Sequence, residues 1–311
     1  GACALAIFVG HQTDIFLAGG SAAGLEYLQA VSIFFLLSGI PLARLYSTTR
    51  KTHTWGGALA FWRKRFARLA PTYYLALCFN LLCSLLSVES LDLFKTLTSF
   101  LGCALFLQSW FVSLINVGGV LWQIAVFVVG YALFPFISRS IHRWPVSPLV
   151  CGMAVLWLFS AGIFVVALVL SDADSFVMNA FIWHVHCVSR LPQLVAGVLL
   201  GETVERLRAE DAAAERNAGR WAVCADVLSF VLLGTAIQSP VVEACFGDGA
   251  RDAVSIGLEA FFLPVHALWL ASIVLAHRAH DRCWTRRALS VSPLLVIGDA
   301  SLTLYCLHIP I

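Results

Sequence analysis

The sequence predicts an all-α fold, a polytopic bundle of membrane helices. Of its 311 residues, 60% are hydrophobic and 12% are charged, about half the charged fraction of an ordinary soluble domain. The mean hydropathy is +0.86. Several apolar runs reach the roughly 20 residues that a helix needs to cross about 30 Å of hydrocarbon while satisfying its own backbone hydrogen bonds. This composition excludes a soluble binding module.

Nine apolar runs are predicted to span the membrane in this chain, and about ten in the full protein. They cover roughly residues 1–17, 25–46, 69–88, 117–138, 148–170, 190–204, 221–238, 256–276 and 289–311. A further run, Ser99–Leu114, is only about 16 residues long and is followed by the turn-forming residues Asn116, Gly118 and Gly119. We expect this run to be re-entrant or interfacial.

Positive charge is concentrated between the predicted spans. With nine spans, the basic clusters Arg44–Arg68, Arg139–Arg143, Arg206–Arg220 and Arg278–Arg287 all fall on one side of the membrane. If Ser99–Leu114 also spanned, the clusters would be scattered over both sides. The positive-inside rule therefore favours nine spans and predicts that the basic loops are cytoplasmic. In so apolar a chain, no nucleic-acid partner is expected.

The chain shows no linker or repeat, so we interpret residues 1–311 as a single membrane domain. Because it opens on Gly1 and stops within an apolar run at Ile311, we expect it to be truncated at both ends. No metal site is predicted. The ten cysteines form no C-x-x-C pair, and His184 and His186 have no convincing cysteine or carboxylate partner.

His11 is an ionisable residue at the end of an apolar run, and intramembrane ionisable residues are candidates for function. With an ordinary pKa near 6.5, a histidine can take a proton from a hydroxyl and return it to a leaving group. Asp14 lies three residues later, on roughly the same face of a helix, where it could orient the ring. The alternatives are an interfacial histidine and an ordinary loop acid.

Arg65 and Arg68 are the second candidate pair. Their i, i+3 spacing lets both guanidinium groups face one pocket, and arginine suits phosphate oxygens. The alternative is plain anchoring to anionic lipid. Ser38, Gly39 and Pro41 interrupt an earlier run, which by itself indicates close packing of membrane helices.

Taken in order, these motifs resemble the acyltransferase-3 family. The family's opening pattern is an arginine, ten residues and a histidine, which matches His11 if an arginine precedes Gly1. The other segments that match family patterns are Phe34–Gly39, Phe61–Tyr74, Leu121–Pro135, Arg190–Gly201 and Gly298–Pro310. The resemblance covers nearly the whole chain.

The resemblance implies a membrane O-acyltransferase that moves an acyl group, such as acetyl, from acyl-coenzyme A to a hydroxyl of a carbohydrate, a lipid or another acceptor. His11 would be the general base or a transient acyl carrier, and Arg65 and Arg68 would hold the donor phosphates. No tightly bound cofactor is implied, and membrane lipid is the expected surrounding. The residues expected to line the cavity are Asp14, Ser38, Trp122, Tyr131 and His308.

One departure from the family pattern keeps a second hypothesis open. Phe127 and Val128 stand where the family carries two acids. Loss of carboxylates from a polar cavity is compatible with a catalytically inactive relative that acts as a small-molecule transporter or a membrane scaffold.

Overall fold

The computed structural model describes residues 27–47, 50–86, 92–170, 185–210, 214–237 and 261–300. Three residues predicted to belong to the site, His11, Asp14 and His308, lie outside these ranges. Within them, the regular elements are all helical. The all-α prediction is therefore confirmed, whereas the number of spans stays a prediction.

The helices follow the apolar runs of the sequence. Short 3-10 segments occur at Val112–Leu114, Gly119–Leu121 and Ala276–Arg282. The α-helices are α1 (Tyr27–Leu42, continued by a π-helical turn at Ala43–Ser47), α2 (Trp55–Leu86), α3 (Leu93–Ala104), α4 (Ile115–Gly118), α5 (Trp122–Ile141), α6 (Val146–Leu170), α7 (Cys187–Glu210), α8 (Ala214–Ile237), α9 (Leu263–Leu275), α10 (Trp284–Leu289) and α11 (Ser292–Asp299).

Three helices in the described part of the chain are long and apolar enough to cross a membrane. They are Trp55–Leu86, Trp122–Ile141 and the Val146–Val166 portion of α6. Only 17% of the 18-residue apolar stretch of α6 is buried, and large side chains such as Val155, Leu158 and Phe159 are exposed. Exposed apolar surface on this scale requires lipid around it, as in an integral membrane protein.

The run Ser99–Leu114 does not form one straight helix. Helix α3 has 12 residues, about 18 Å at 1.5 Å per residue, and ends at Ala104. The chain then turns at Phe106, whose φ is 60°. The Ser99 hydroxyl secures the turn, because it donates to the Leu114 carbonyl at 2.5 Å and accepts from the Val117 N–H at 3.0 Å.

Helix α7 is central, because it packs against α1, α5, α6 and α9. Its closest contact is with α1, through glycines that we call the glycine seam: Gly39, Gly197 and Gly201. A Cβ atom on Gly39 would lie 2.5 Å from the Leu194 carbonyl oxygen, and one on Gly197 would lie 2.2 Å from the Leu36 carbonyl oxygen. Only glycine allows the two backbones to approach so closely.

An apolar cavity of about 420 Å³ lies between α1, α6, α7 and α9. Its wall carries aliphatic side chains, together with Trp157 and Pro264. The size falls within the range of small-molecule pockets, about 300–1,000 Å³. A cavity with this lining suits an apolar ligand such as a hydrocarbon chain.

Basic segments from distant parts of the sequence meet at one end of the bundle. The Arg206 guanidinium donates to the carbonyl of Trp144, and its Nη2 donates to the carbonyl of His142 at 2.8 Å. Arg44 pairs with Glu205 of α7 at 2.6 Å. The first three predicted basic clusters therefore share one end. Many residues of the first cluster lie within a helix rather than in a loop, because α2 begins at Trp55.

Candidate active site

Arg65 lies in a box of aromatic rings. Its guanidinium carbon is 5.3 Å from the ring centroid of Tyr46 and 5.5 Å from those of both Phe61 and Tyr131. Each ring face attracts the cation through its quadrupole. The Arg65 Nε is buried and has no hydrogen-bond partner among the described residues. The three rings hold the cation in place.

Arg68 lies one turn farther along α2, and its environment differs. Its side chain is exposed, whereas Arg65 is half-buried. Both guanidinium groups lie within electrostatic range of the Tyr131 hydroxyl. The structure therefore brings Arg65 and Tyr131 together and leaves Arg68 at the rim of the same region.

An aromatic row on α5 leads away from Arg65 into the bundle. Tyr131 stacks on Phe127 with ring centroids 6.0 Å apart, and Phe127 packs on Phe35 of α1 at 5.1 Å. Phe35 in turn contacts Trp122 at 6.2 Å. Trp122 and Tyr131 are nine residues apart on α5, about 13 Å along its axis.

Arg190 lies at the far end of this row. Its side chain is 2% exposed, and its guanidinium carbon is 5.7 Å from the ring centroid of Trp122. Its Nη1 donates to Gln193 Oε1 at 3.2 Å, and the Ser32 hydroxyl donates to the same oxygen at 3.2 Å. The row, which we define as Arg65, Tyr131, Phe127, Trp122 and Arg190, thus has a guanidinium at each end.

The arrangement suits an anionic, partly apolar ligand. Two cations held against aromatic faces in a low-dielectric setting can bind phosphate or stabilise negative charge that develops during a reaction. The rings between them are buried, with Phe127 4% and Trp122 6% exposed, and they provide the apolar setting of the two cations. Another polar group, Gln123, lies beside the row at 2% exposure, and its Oε1 has no hydrogen-bond partner within the described ranges.

Phe127 is one of the two residues that stand where the pattern of the acyltransferase-3 resemblance has acids. Its ring is 4% exposed and is packed against Phe34, Phe35 and Tyr131. Val128 is half-buried beside the same cluster. Aromatic packing therefore occupies the position at which a carboxylate would lie between the two arginines.

Ser38 has a local role in the structure. Its hydroxyl donates to the Phe34 carbonyl of the preceding turn at 2.7 Å. Such a bond satisfies a serine within a membrane helix without a partner on another helix. Ser38 directly precedes the glycine seam, so its small side chain also suits the close contact between α1 and α7.

Arg190 is the main site residue that the sequence analysis does not predict, because there it is only the first residue of the matching segment Arg190–Gly201. Its spacing from Gln193, three residues along an apolar helix, would have placed both side chains on one face and indicated a polar site. Among the described residues, no group of three or more histidine, cysteine or acidic side chains could hold a metal ion.

Comparison with known proteins decides the family. The family profile of the acyltransferase domain matches residues 1–311, the whole chain. This chain belongs to the acyltransferase-3 family. The part of this acyltransferase domain that the structure describes is all-α, and its long apolar helices are those of an integral membrane protein.

The relatives of this acyltransferase domain include the O-acetyltransferase OatA of Staphylococcus aureus strains NCTC 8325, COL and MRSA252. Each is 22% identical to the chain over an aligned length of 322 residues, which covers 99% of this chain and 48% of the relative. The chain therefore spans about half the length of the curated relatives it matches. No solved structure matches it significantly.

Proposed function

We propose that this domain is a membrane O-acyltransferase that transfers an acyl group, most simply acetyl, from acyl-coenzyme A to a hydroxyl of a carbohydrate or lipid acceptor. The observation that carries the proposal is Arg65, a cation held by three aromatic rings with a buried Nε that bonds to no described residue. The name of the OatA relatives, O-acetyltransferase, supports acetyl as the group transferred.

Arg65 binds a phosphate of the donor in this proposal, because guanidinium N–H groups match phosphate oxygens in geometry and charge. Arg68, exposed one turn away, reaches a second phosphate oxygen at the rim. Both arginines lie toward the end of the bundle where the basic segments meet, and we propose that this end faces the cytoplasm, the source of acyl-coenzyme A.

His11 acts as the general base in the proposed step. Its imidazole takes the proton of the acceptor hydroxyl while the hydroxyl oxygen attacks the thioester carbonyl carbon. The carbon–sulfur bond then breaks, the departing thiolate takes the proton from the imidazolium, and coenzyme A leaves as the free thiol. Asp14 orients the imidazole ring, and His308 adds a second polar group to the proposed site of acyl transfer.

The other predicted cavity residues have supporting roles in this scheme. Tyr131 and Trp122 provide the aromatic faces against which Arg65 and Arg190 are held. Ser38 satisfies its hydroxyl within α1 and lies next to the glycine seam, through which α1 packs closely against α7. Surrounding lipid is the medium of the reaction and, for a lipid acceptor, also the source of the hydroxyl.

A second function is favoured by one observation, the packing of Phe127 where the family pattern has an acid. A relative without that carboxylate could move a small molecule across the membrane, or serve as a scaffold, without breaking a covalent bond. Such a protein would transport substrate without releasing coenzyme A.

The test is the release of coenzyme A from acetyl-coenzyme A by the full-length protein in lipid nanodiscs, with a membrane extract as the acceptor source. We expect His11→Ala to abolish release. Arg65→Ala is expected to weaken donor use about tenfold or more, because it removes a charged hydrogen bond. Arg65→Lys should not restore it, since an ammonium lacks the planar fork.

Arg63→Ala is the matched control, because Arg63 is exposed on the same helix and its loss changes the net charge equally. It should retain release, and all variants must elute as folded, monodisperse protein. Release that is unaffected by His11→Ala would reject the proposed base. No release from the wild type with any acyl donor, combined with uptake of a small molecule into vesicles, would favour the transporter.

A further inference from the structure

A second cationic pocket, separate from the arginine–aromatic row, lies at the basic end of the bundle. It has a volume of about 440 Å³. Three guanidinium groups and one imidazole contribute to its lining: Arg44, Arg208, His277 and Arg286. They come from the π-helical turn after α1, the end of α7, the 3-10 segment after α9, and α10. A pocket assembled from four elements is a product of the tertiary fold.

The fold holds these cations near one another. Arg44 Nε is 2.6 Å and Arg208 Nη1 is 3.3 Å from the same oxygen of Glu205, so one carboxylate serves two guanidinium groups. Arg286 Nη1 donates to the Ile273 carbonyl at 3.0 Å. These contacts fix the directions of the side chains. A guanidinium carries five N–H donors, so the single contacts of Arg208 and Arg286 do not use up their donors.

The pKa of His277 reflects the positive charge around the pocket. Its pKa is lowered from 6.5, first by burial and then by the positive charges of Arg208, Arg286 and Arg44, with Glu205 acting in the opposite direction. A histidine in this setting is neutral near pH 7 and can donate one hydrogen bond. The pocket is therefore electropositive even with its histidine uncharged.

The rest of the wall is apolar. Ile273, Val274, Leu289 and Leu295 complete the lining together with Ser290. A wall that carries both cations and aliphatic side chains matches a ligand in which a phosphate is joined to less polar atoms. The volume exceeds what a bare phosphate needs and lies within the size range of ligand pockets.

We propose that the pocket formed by Arg44, Arg208, His277 and Arg286 is a phosphate-binding site, distinct from the Arg65 site. Arginine forks supply the geometry for phosphate oxygens, and the convergence of three basic segments supplies the charge. Two kinds of ligand bring a phosphate group to a membrane surface. One is a soluble phosphate compound such as coenzyme A, and the other is the headgroup of an anionic lipid. The site goes beyond the proposed acyl transfer and requires no turnover.

The experiment compares Arg286→Gln with Arg287→Gln in the full-length protein in nanodiscs. Arg287 is the adjacent, exposed arginine outside the pocket lining, so the two variants lose the same charge from the same helix. In phosphatidylcholine nanodiscs, binding of coenzyme A and of inorganic phosphate is measured by thermophoresis. In nanodiscs with added phosphatidylglycerol, retained anionic lipid is counted by native mass spectrometry.

We expect Arg286→Gln to weaken binding of one of these ligands about tenfold or more, with Arg287→Gln close to the wild type. All of these variants carry Arg65→Ala as well, so that the proposed donor site does not contribute to coenzyme A binding. Weaker binding of coenzyme A or phosphate then identifies a soluble source, and loss of retained phosphatidylglycerol identifies a lipid headgroup. Arg208→Gln is the second variant, because Arg286 also bonds to the backbone of α9 and its loss can disturb folding. Equal binding of every probe by the wild type, both pocket variants and the control would overturn the proposal.

The result is independent of the acyl-transfer test. Phosphate binding is measured without a reaction, so it can succeed when His11→Ala has no effect on release. Conversely, Arg65→Ala removes a cation that is not part of this pocket. Failure of one proposal therefore leaves the other standing.

Discussion

The guanidinium of Arg190 is almost fully enclosed inside a membrane domain, where an ionised group is costly. The face of Trp122 and the amide oxygen of Gln193 offset part of that cost. A side chain held in this way is either a structural anchor or part of the binding cavity. Substitution separates the two roles.

We expect Arg190→Ala to destabilise the protein by about 2–3 kcal/mol, because it removes a charged hydrogen bond and a cation–π contact in a buried site. Arg190→Lys should recover only part of this, since a lysine cannot lie flat on the indole ring. Thermal unfolding in nanodiscs measures the change. Arg63→Ala, on an exposed face of α2, should shift stability by no more than about 0.5 kcal/mol.

If Arg190 also binds the ligand, Arg190→Lys will lose coenzyme A release beyond what its stability explains. The measurement is release at a temperature at which the variant is fully folded. Activity that simply follows the folded fraction would assign Arg190 to structure alone.

At the scale of elements, the glycine seam sets the distance between α1 and α7. Any side chain at Gly39 or Gly197 would push against backbone atoms of the opposite helix, which cannot rotate away. This differs from Gly130, where an added Cβ would meet the flexible end of the Leu194 side chain. Backbone contacts are the stricter constraint.

We expect Gly39→Ala to lower the free energy of unfolding by about 1–3 kcal/mol, because the two helices must separate to make room for the methyl group. Gly162→Ala on α6 is the matched control, since a Cβ atom there meets nothing within 4 Å. That control should be neutral or stabilise by up to about 1 kcal/mol through helix propensity. Unfolding curves of both variants in one lipid mixture check the difference. Equal effects would show that the seam is not a tight contact.

Sequence patterns predicted the elements better than their ends. Apolar runs predicted the bounds of α5, α6 and α7 to within about six residues, because burial in lipid demands long apolar helices. The start of α2 was missed by about 14 residues, since hydropathy detects the apolar part of a helix and not its charged extension. Length indicated that Ser99–Leu114 does not span, whereas the end of α3 at Ala104 and the hydrogen bonds through Ser99 depend on tertiary contacts.

At the scale of the whole molecule, the basic segments gather at one end, and charge bias predicts that this end is cytoplasmic. We expect a cysteine introduced at Arg287, which is exposed, to react with a membrane-impermeant thiol reagent in inside-out vesicles and not in right-side-out vesicles. Labelling is scored at the peptide level by mass spectrometry, so the native cysteines serve as internal controls. Labelling in right-side-out vesicles would reverse the predicted orientation.

The candidate site was only partly predictable from the sequence. Arg65 and Tyr131 were singled out by motif and do lie together, whereas Arg68 is at the rim and Ser38 bonds to its own helix. Arg190 and its contact with Trp122 join residues 68 positions apart, and no local pattern states which helix faces meet. The second pocket required four segments to converge, which is likewise a property of the fold.

The backbone contact between α1 and α7 also limits how the molecule can move. Two helices that touch through main-chain atoms cannot slide by a turn, about 5.4 Å, without driving side chains into the opposite backbone. Helices α1 and α7 therefore behave as one rigid unit during any working cycle. Opening a path for an acceptor or a product has to take place at other interfaces, such as that between α8 and α9, which carry no such seam in the described residues.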